Sequence, residues 1–130
     1  MIYPEHKANL KKLAKYLATL PDDYEKFHMK AYCSTIDKGG YVGDEDFGPD
    51  QAVSILANKC GTVACALGHG PSAGIMPAQV DYDWEQYSAN HFGLVWGSDG
   101  WAHCFDVEWA QDPETNTPKA AAERIYEYMS

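Results

Sequence analysis

The stretch CGTVACALGHGP, residues 60–71, constrains the fold of this chain more than any other part of its sequence. Nearly every residue from Thr62 to Leu67 is small or apolar, and such a segment belongs in the interior of a domain, where small side chains let neighbouring elements approach closely. The glycines and the proline that follow cannot continue a helix. The stretch therefore predicts a buried helix capped by Thr62 that ends in a sharp turn. Cys65 is then a small hydrophobic residue of the core.

Five further segments show helical patterns or helix boundary signals. They cover residues 4–20, 24–33, 50–60, 81–94 and 117–130. Residues 37–51 are rich in glycine and acidic residues, which predicts a loop. The second segment is ambiguous, because Phe27, Met29 and Ala31 also alternate as in a strand, and we interpret it as a helix. The turn sequence WGSDGW, residues 96–101, lies between two short apolar runs and predicts a β-hairpin.

These patterns predict the fold class. A chain of 130 residues without a linker or an internal repeat fits one domain that spans residues 1–130. We expect a mainly α (α+β) protein: a compact single domain of four or five helices with a small β-hairpin near the aromatic stretch.

The charge of the chain excludes several partners. The net charge is −9 and Arg124 is the single arginine, so we expect neither a nucleic acid nor an anionic membrane surface as a partner. No stretch approaches the roughly 18 apolar residues of a membrane helix, and we predict a cytoplasmic protein. Lys7, Lys11 and Lys15 recur every fourth residue, which indicates a solvated helix face, with a small anion-attracting strip as the alternative.

The chain also resembles a family of small uncharacterised bacterial and phage proteins. The residues that carry the resemblance are CGTVACALGHGP, the preceding leucine-rich helix, NHFG at 90–93 and TPKAAAERI at 117–125. The resemblance implies a compact α-rich fold and makes a phage or prophage origin conceivable, but it implies no activity, cofactor or catalytic residue.

Cysteine chemistry is the first functional hypothesis that the sequence raises. We expect the four cysteines to be reduced thiols and the protein to need no cofactor. A zinc site would use Cys60, Cys65 and His69, but neither Cys-x-x-Cys nor His-Glu-x-x-His is present. A nucleophilic thiol is disfavoured as well, because burial in apolar surroundings raises the pKa of a cysteine.

A small-molecule pocket is the second hypothesis. Eight aromatic residues lie between positions 82 and 109, a density that suits a core wall but also offers flat faces on which a nucleobase can stack: Tyr82, Trp84, Tyr87, Phe92, Trp96, Trp101, Phe105 and Trp109. The turn GHGPSAG has backbone N–H groups that can hold a phosphate or carboxylate. The predicted ligand-binding residues are His69, Gly70, Ser72, Trp84, His91, Trp96, Trp101 and Arg124, with Asn90 and Asp99 behind them.

The leading functional hypothesis is therefore a non-enzymatic protein that binds a small nucleotide-like ligand. If the gene is viral, sequestration of a host signalling nucleotide is a natural use for such a module. Two alternatives stay open: an enzyme that acts on such a nucleotide with histidine and carboxylate groups, and a protein-interaction module whose aromatic residues form a homo-oligomer or partner surface.

Overall fold

The structure is a computed structural model that describes residues 2–36, 41–58, 61–78, 81 and 83–130, without the side chains of residues 44 and 45. Five α-helices and a three-stranded antiparallel sheet form it, which confirms the mainly α fold class. The helices are α1 (Pro4–Thr19), α2 (Ala52–Asn58), α3 (Trp84–Phe92), α4 (Asp99–Phe105) and α5 (Pro118–Met129). The strands are β1 (Cys33–Ile36), β2 (Val42–Asp46) and β3 (Thr62–Ala64), and three single 3₁₀ turns cover Leu67–His69, Pro71–Ala73 and Val107–Ala110.

The helices that surround the core begin and end where local signals predict. In α1, the apolar stripe of Leu10, Leu13, Ala14 and Leu17 is fully buried, and the helix packs against α3 and α5. Helix α3 is capped by the side chain of Asp83, which accepts from the Gln86 N–H, and it ends at Gly93 with a positive φ of 69°. These signals are local because a cap and a helix stripe involve residues only three or four positions apart.

Helix α5 has the same kind of boundary. The Thr117 side chain caps it by accepting from the Ala120 N–H, and Pro118 occupies the first helical position. Its inward face carries Ala121, Ala122 and Ile125, and it packs against α1 and α4. The small alanines let α1 and α5 approach closely.

The segment from Thr62 to Ala64 is a strand, so the predicted buried helix at this position is wrong. Strand β3 pairs antiparallel with β1, with Cys33 opposite Ala64 and Thr35 opposite Thr62. On its other side, Ala64 exchanges backbone hydrogen bonds with the segment around Phe27: its N–H donates to Lys26 O, and its carbonyl accepts from the His28 N–H. The segment is buried as predicted, but long-range pairing on both sides satisfies its backbone groups.

Two other predicted elements also differ. Residues 24–32 contain turns rather than a helix, and Phe27, Met29 and Ala31 are buried in alternation. Residues 37–51 were expected to form a loop throughout, but residues 42–46 form β2, which pairs with β1. The sheet order is β2-β1-β3, so the β1–β2 hairpin lies early in the chain.

The aromatic stretch holds helix α4 where the hairpin was expected. Ser98 is the N-cap of this helix, and its side chain accepts from the Trp101 N–H. Trp101, Cys104 and Phe105 are buried at helical spacing. The sequence WGSDGW is thus a helix start rather than a strand connection, because Ser98 satisfies an N-terminal N–H and Asp99 places a negative charge in the first turn.

Candidate functional site

Most rings of the aromatic stretch form a buried wall. Trp84 stacks on Tyr32 with 6.2 Å between ring centroids and meets Tyr87 edge-on at 5.4 Å. Phe92 continues the wall from Tyr87 to Phe105, with centroid distances of 5.8 and 5.7 Å. Tyr82, which was counted in the same cluster, lies outside the described residues.

Trp84 belongs to this wall and does not face a cleft. Its side chain is buried, and its Nε1–H donates to the Phe47 carbonyl oxygen at 2.8 Å. Its flat face and its polar atom are both occupied by the protein, so the structure gives this predicted ligand-binding residue a packing role.

Trp96 and Trp101 form a pair at the edge of the wall. Their ring centroids are 5.8 Å apart at an interplanar angle of 54°. Trp101 is 8% exposed and Trp96 is 56% exposed, so one indole is part of the core and the other lies at the surface beside it.

A cleft of about 340 Å³ opens between the sheet and α4, and we name it the Tyr32–Trp101 cleft. Five of its lining residues are buried and form its floor: Met29, Ala31, Cys65, Trp101 and Phe105. Lys30 and Asp46 are exposed at its rim, and Tyr32 and Asp106 are half-buried between floor and rim. Tyr32 precedes β1, Asp46 ends β2, Cys65 follows β3 and Asp106 ends α4, so four chain segments build this cleft.

The floor of this cleft is electrically neutral and its rim is charged. Burial raises the pKa of the Cys65 thiol to about 12, and burial followed by the nearby Cys65 and Glu85 raises the pKa of Tyr32 to about 12. Both groups are therefore protonated at neutral pH. The charges of Lys30, Asp46 and Asp106 lie above this neutral floor.

Trp101, which lines this cleft, carries an unused hydrogen-bond donor. Its Nε1–H is buried and has no hydrogen-bond partner within the described part of the chain. A buried donor without an acceptor costs about 1–3 kcal/mol, and native structures contain few of them. An acceptor that reaches this donor removes that cost.

A second cleft, of about 310 Å³, contains two other predicted residues, His69 and Ser72, and we name it the His69 cleft. It is lined by Tyr16 of α1, by Tyr24 and Lys26 of the following segment, and by the apolar side chains of α2. The rings of Tyr16 and Tyr24 flank His69 with centroid distances of 6.4 and 5.9 Å, and Phe27 stacks on it at 5.8 Å. Its described lining shares no residue with the Tyr32–Trp101 cleft.

The protonation state of His69 follows from its contacts. Its side chain is buried, and Nε2 lies 3.0 Å from the Lys26 carbonyl oxygen. A carbonyl oxygen only accepts, so Nε2 carries the proton and Nδ1 has a lone pair. Burial lowers the pKa of His69 to about 4, which keeps the ring neutral at neutral pH. Nδ1 has no hydrogen-bond partner among the residues that the structure describes.

Gly70, next in the sequence, serves packing. A Cβ at this position would collide with the Tyr87 side chain, so only glycine lets the turn approach that ring. Three backbone N–H groups of this turn are already used: Gly70 donates to Leu67 O, Ala73 to Gly70 O and Gly74 to Pro71 O. The expectation that these N–H groups are free to hold an anion is corrected accordingly.

His91 and Asn90 lie on α3 and contact one carboxylate. His91 Nε2 is 2.6 Å from Asp81 Oδ2, and the Asn90 amide donates to Oδ1 at 2.7 Å. The Ala78 N–H also donates to Asp81 Oδ2. Burial alone would raise the pKa of Asp81, but these hydrogen bonds outweigh it and lower the pKa below the usual value. The cluster anchors the segment before α3.

Arg124 lies in a third cleft, of about 430 Å³, with His103, Trp109 and Asp99. Its Nε–H donates to the His103 carbonyl oxygen at 2.8 Å, and its guanidinium carbon lies 5.4 Å from the centre of the Trp109 ring. Asp106 lines both this cleft and the Tyr32–Trp101 cleft, so the two adjoin.

The predicted site residues therefore do not form one pocket. Trp101 lines the Tyr32–Trp101 cleft with Trp96 beside it, His69 and Ser72 line the His69 cleft, and Arg124 and Asp99 line the third. Sequence reasoning missed most of the lining residues, among them the polar residues Tyr16, Tyr24, Lys26, Lys30, Tyr32, Asp46 and Asp106. No local motif marks them, because the packing of strands and helices from different parts of the chain brings them to the clefts.

The cysteines are packed as hydrophobic residues. Cys33, Cys65 and Cys104 are free and buried, and burial raises their pKa values to about 11, 12 and 12. Cys60 lies outside the described residues. Cys65 and His69 line different clefts, and within residues 2–36, 41–58, 61–78, 81 and 83–130 no group of three or more potential metal ligands comes together.

Comparison with known proteins finds no matching family model, no matching curated protein and no matching solved structure. None of the described helices combines the length and the apolar character needed to cross a bilayer.

Proposed function

We propose that this protein binds a small planar, nucleotide-like ligand in the Tyr32–Trp101 cleft without converting it. The observation that carries the proposal is the buried Trp101 Nε1–H, which lacks an acceptor in the described part of the protein. A ring nitrogen or carbonyl oxygen of a nucleobase is such an acceptor. The cleft volume of about 340 Å³ lies in the range of small-molecule sites.

The surroundings of the cleft favour a heterocycle with N–H groups of its own. Asp46 and Asp106 carry carboxylates, which accept from exocyclic amino groups of bases. The exposed indole of Trp96, next to Trp101, offers a flat face on which a base can stack.

Charge limits the number of phosphates on the ligand. Lys30 supplies one positive charge at the rim, against two carboxylates and a net protein charge of −9. Repulsion therefore disfavours a polyphosphate, and we expect a nucleoside or a ligand with one phosphate per base to bind more tightly than a triphosphate.

The four tryptophans provide the test, because each indole N–H gives its own signal in a ¹⁵N-correlated NMR spectrum. We would titrate nucleosides, their mono- and triphosphates and cyclic dinucleotides, and assign the signals with single Trp→Phe variants. A binding ligand should shift the Trp101 signal, while the Trp84 signal stays in place because its N–H already donates to Phe47. If no compound moves the Trp101 signal, the proposal fails.

A matched pair of variants makes the test specific. Trp101→Phe keeps a ring but removes the donor and should weaken binding about tenfold. Trp109→Phe removes another buried indole N–H without a described partner, but from the third cleft, and should leave the affinity unchanged. Equal weakening in both variants would contradict the proposal.

Chromatographic detection of a product would instead favour the enzymatic alternative, although no histidine is found in the described lining of the Tyr32–Trp101 cleft.

One observation favours a protein-interaction surface as a second candidate. Val95 is 61% exposed beside Trp96 at 56%, and adjacent exposed apolar side chains are typical of contact surfaces. Light scattering of the wild type against Trp96→Ala tests it: an oligomer that dissociates in the variant would support an interface, and a monomer in both would exclude self-association. A phage origin and the sequestration of a host signalling nucleotide stay predictions. The cyclic dinucleotide titration tests whether such a nucleotide binds.

A further inference from the structure

We propose that the His69 cleft is a separate binding site for a small protonated oxyanion of the phosphate class. It is independent of the ligand proposed above, because the two clefts share no described lining residue. Three features carry the inference: the distribution of charge, the set of hydrogen-bond donors, and the lone pair of His69.

The charge around this cleft has the opposite sign to that of the protein. No carboxylate belongs to its described lining, whereas Lys26 brings an ammonium group, although the chain as a whole carries −9. Lys12 lies one helical turn before Tyr16 on α1, and its Nζ reaches the Gly74 carbonyl oxygen at 3.5 Å, next to the turn that carries Ser72. The described lining thus contains one ammonium group and no carboxylate, and a second ammonium group lies at the turn that follows Ser72.

Hydroxyl groups complete the donor set. Tyr16, Tyr24 and Ser72 each place a hydroxyl-bearing side chain in the lining. Burial raises the pKa of Tyr16, so this phenol keeps its proton. The Lys26 Nζ donates to Leu56 O, which holds the ammonium in place and leaves two of its three N–H bonds for a ligand. Ammonium and hydroxyl donors together are the groups that bind an oxyanion in proteins.

His69 adds a selection for protonated anions. Its Nδ1 is an acceptor, 99% of the residue is buried, and no described residue donates to that atom. A ligand that brings an O–H removes this unsatisfied acceptor, whereas an anion without a proton sets its own lone pairs against that of Nδ1. Phosphate keeps a proton at neutral pH and sulfate does not. The two ions have nearly the same size and shape, so the cleft should distinguish them by that proton.

Phosphate and sulfate titrations followed by amide NMR test this proposal. Inorganic phosphate should give saturable shifts at Ser72 and Ala73, and sulfate should bind at least about tenfold more weakly. The indole signals of Trp101 and Trp109 should stay in place, which separates this site from the other clefts. Equal affinity for the two anions, or no saturable shift with phosphate, would overturn the proposal.

Variants locate the site. Ser72→Ala removes one half-exposed hydroxyl and should weaken phosphate binding about tenfold, and Lys26→Gln should weaken it further. Lys11→Gln removes the same charge from an exposed position of α1 outside the cleft and should leave the affinity unchanged. If Lys26→Gln does not fold, because it also loses the bond to Leu56, Tyr24→Phe replaces it in the comparison. Unchanged phosphate affinity in both Ser72→Ala and Tyr24→Phe would place the anion elsewhere and refute the assignment.

Discussion

Trp96 lies against Trp101 with 5.8 Å between their ring centroids, yet the two side chains differ sevenfold in exposure, at 56% and 8%. One indole completes the core and the other is held at the surface by contact with it. The pair therefore joins a rigid interior to an exposed aromatic face, and the two residues should respond differently to the same substitution.

Alanine substitutions should separate these roles. Trp101→Ala removes a buried ring and should lower the free energy of unfolding by about 3–5 kcal/mol. Trp96→Ala should change it by less than about 1 kcal/mol, because most of that ring already contacts water. Urea denaturation of both variants measures the difference. A loss in Trp96→Ala as large as that in Trp101→Ala would show that Trp96 belongs to the core.

Gly70→Ala should destabilise the protein through a steric clash alone. The backbone of Gly70 has φ −54° and ψ −51°, which alanine adopts without strain, but the added Cβ would meet the buried Tyr87 side chain. We expect a loss of about 1–3 kcal/mol in the free energy of unfolding, as for other overpacked cores. Ser72→Ala in the following turn is the control and should stay within about 0.5 kcal/mol. A Gly70→Ala protein as stable as the wild type would mean that Tyr87 is free to move aside.

How much of this molecule the sequence predicts depends on the distance over which each interaction acts. Thr117 and Pro118 at the start of α5, and Gly93 at the end of α3, define helix ends through contacts within a few residues, and these boundaries agree with the prediction. The start of α3 does not, because its cap is Asp83 whereas the predicted segment begins at residue 81. Thr62–Ala64 was predicted as a helix because its small apolar residues suit either state. Its strand conformation comes from pairing with Cys33–Thr35, nearly thirty positions earlier.

The clefts depend on the same long-range pairing. Tyr32 and Asp46 reach the Tyr32–Trp101 cleft through β1 and β2, and no pattern near Trp101 indicates them. The sequence did indicate that Trp101 and His69 were unusual. However, the sequence analysis assigned both residues to one pocket. A linear pattern does not show that Cys65 lines the same cleft as Trp101, whereas His69, four residues later, lines a different one.

His69 should make stability depend on pH in the range below 6.5. Its pKa in the folded protein is about 4, whereas in the unfolded chain it is about 6.5, so the unfolded state binds a proton first as the pH falls. This contribution to stability is complete above pH 6.5 and is lost as the pH falls toward 4. Between pH 6.5 and 5 the loss should be about 2 kcal/mol.

Urea denaturation at several pH values measures this slope. His69→Gln should reduce it without abolishing it, because burial also lowers the pKa of His28 and acts in the same direction. If the variant does not fold, the ring C–H signals of His69 in the wild type provide the same information. A titration midpoint near 6.5 for those signals would contradict the buried neutral ring.

Thiol labelling should show that the three described cysteines are protected in the native protein. Cys33, Cys65 and Cys104 are buried, with pKa values raised to about 11 or 12, so very little thiolate is present at neutral pH. A Cys60→Ser protein should therefore resist iodoacetamide in its native state and react at all three thiols in urea, as counted by mass spectrometry. Fast modification of the native variant would support the hypothesis of a nucleophilic thiol, which the burial of these cysteines disfavours.

The start of α4 can be tested by substitutions that a helix and a hairpin would tolerate differently. Ser98 caps the helix with φ −77° and ψ 162°, an extended conformation that also suits a residue before proline. Asp99 is the first helical position, where proline is favoured and the N–H needs no partner within the helix. Asp99→Pro should therefore change the free energy of unfolding by less than about 1 kcal/mol, which is the size of the lost interaction between its charge and the helix dipole.

Ser98→Ala should cost about 1 kcal/mol, because the Trp101 N–H loses its acceptor. Thr117→Ala at the start of α5 is the matched control with the same expected loss. A two-residue type I′ hairpin turn at residues 98 and 99 would require positive φ at both, which proline cannot adopt, and would gain little from the serine side chain. A strong loss in Asp99→Pro combined with a neutral Ser98→Ala would therefore contradict α4 and favour the hairpin that the sequence first suggested.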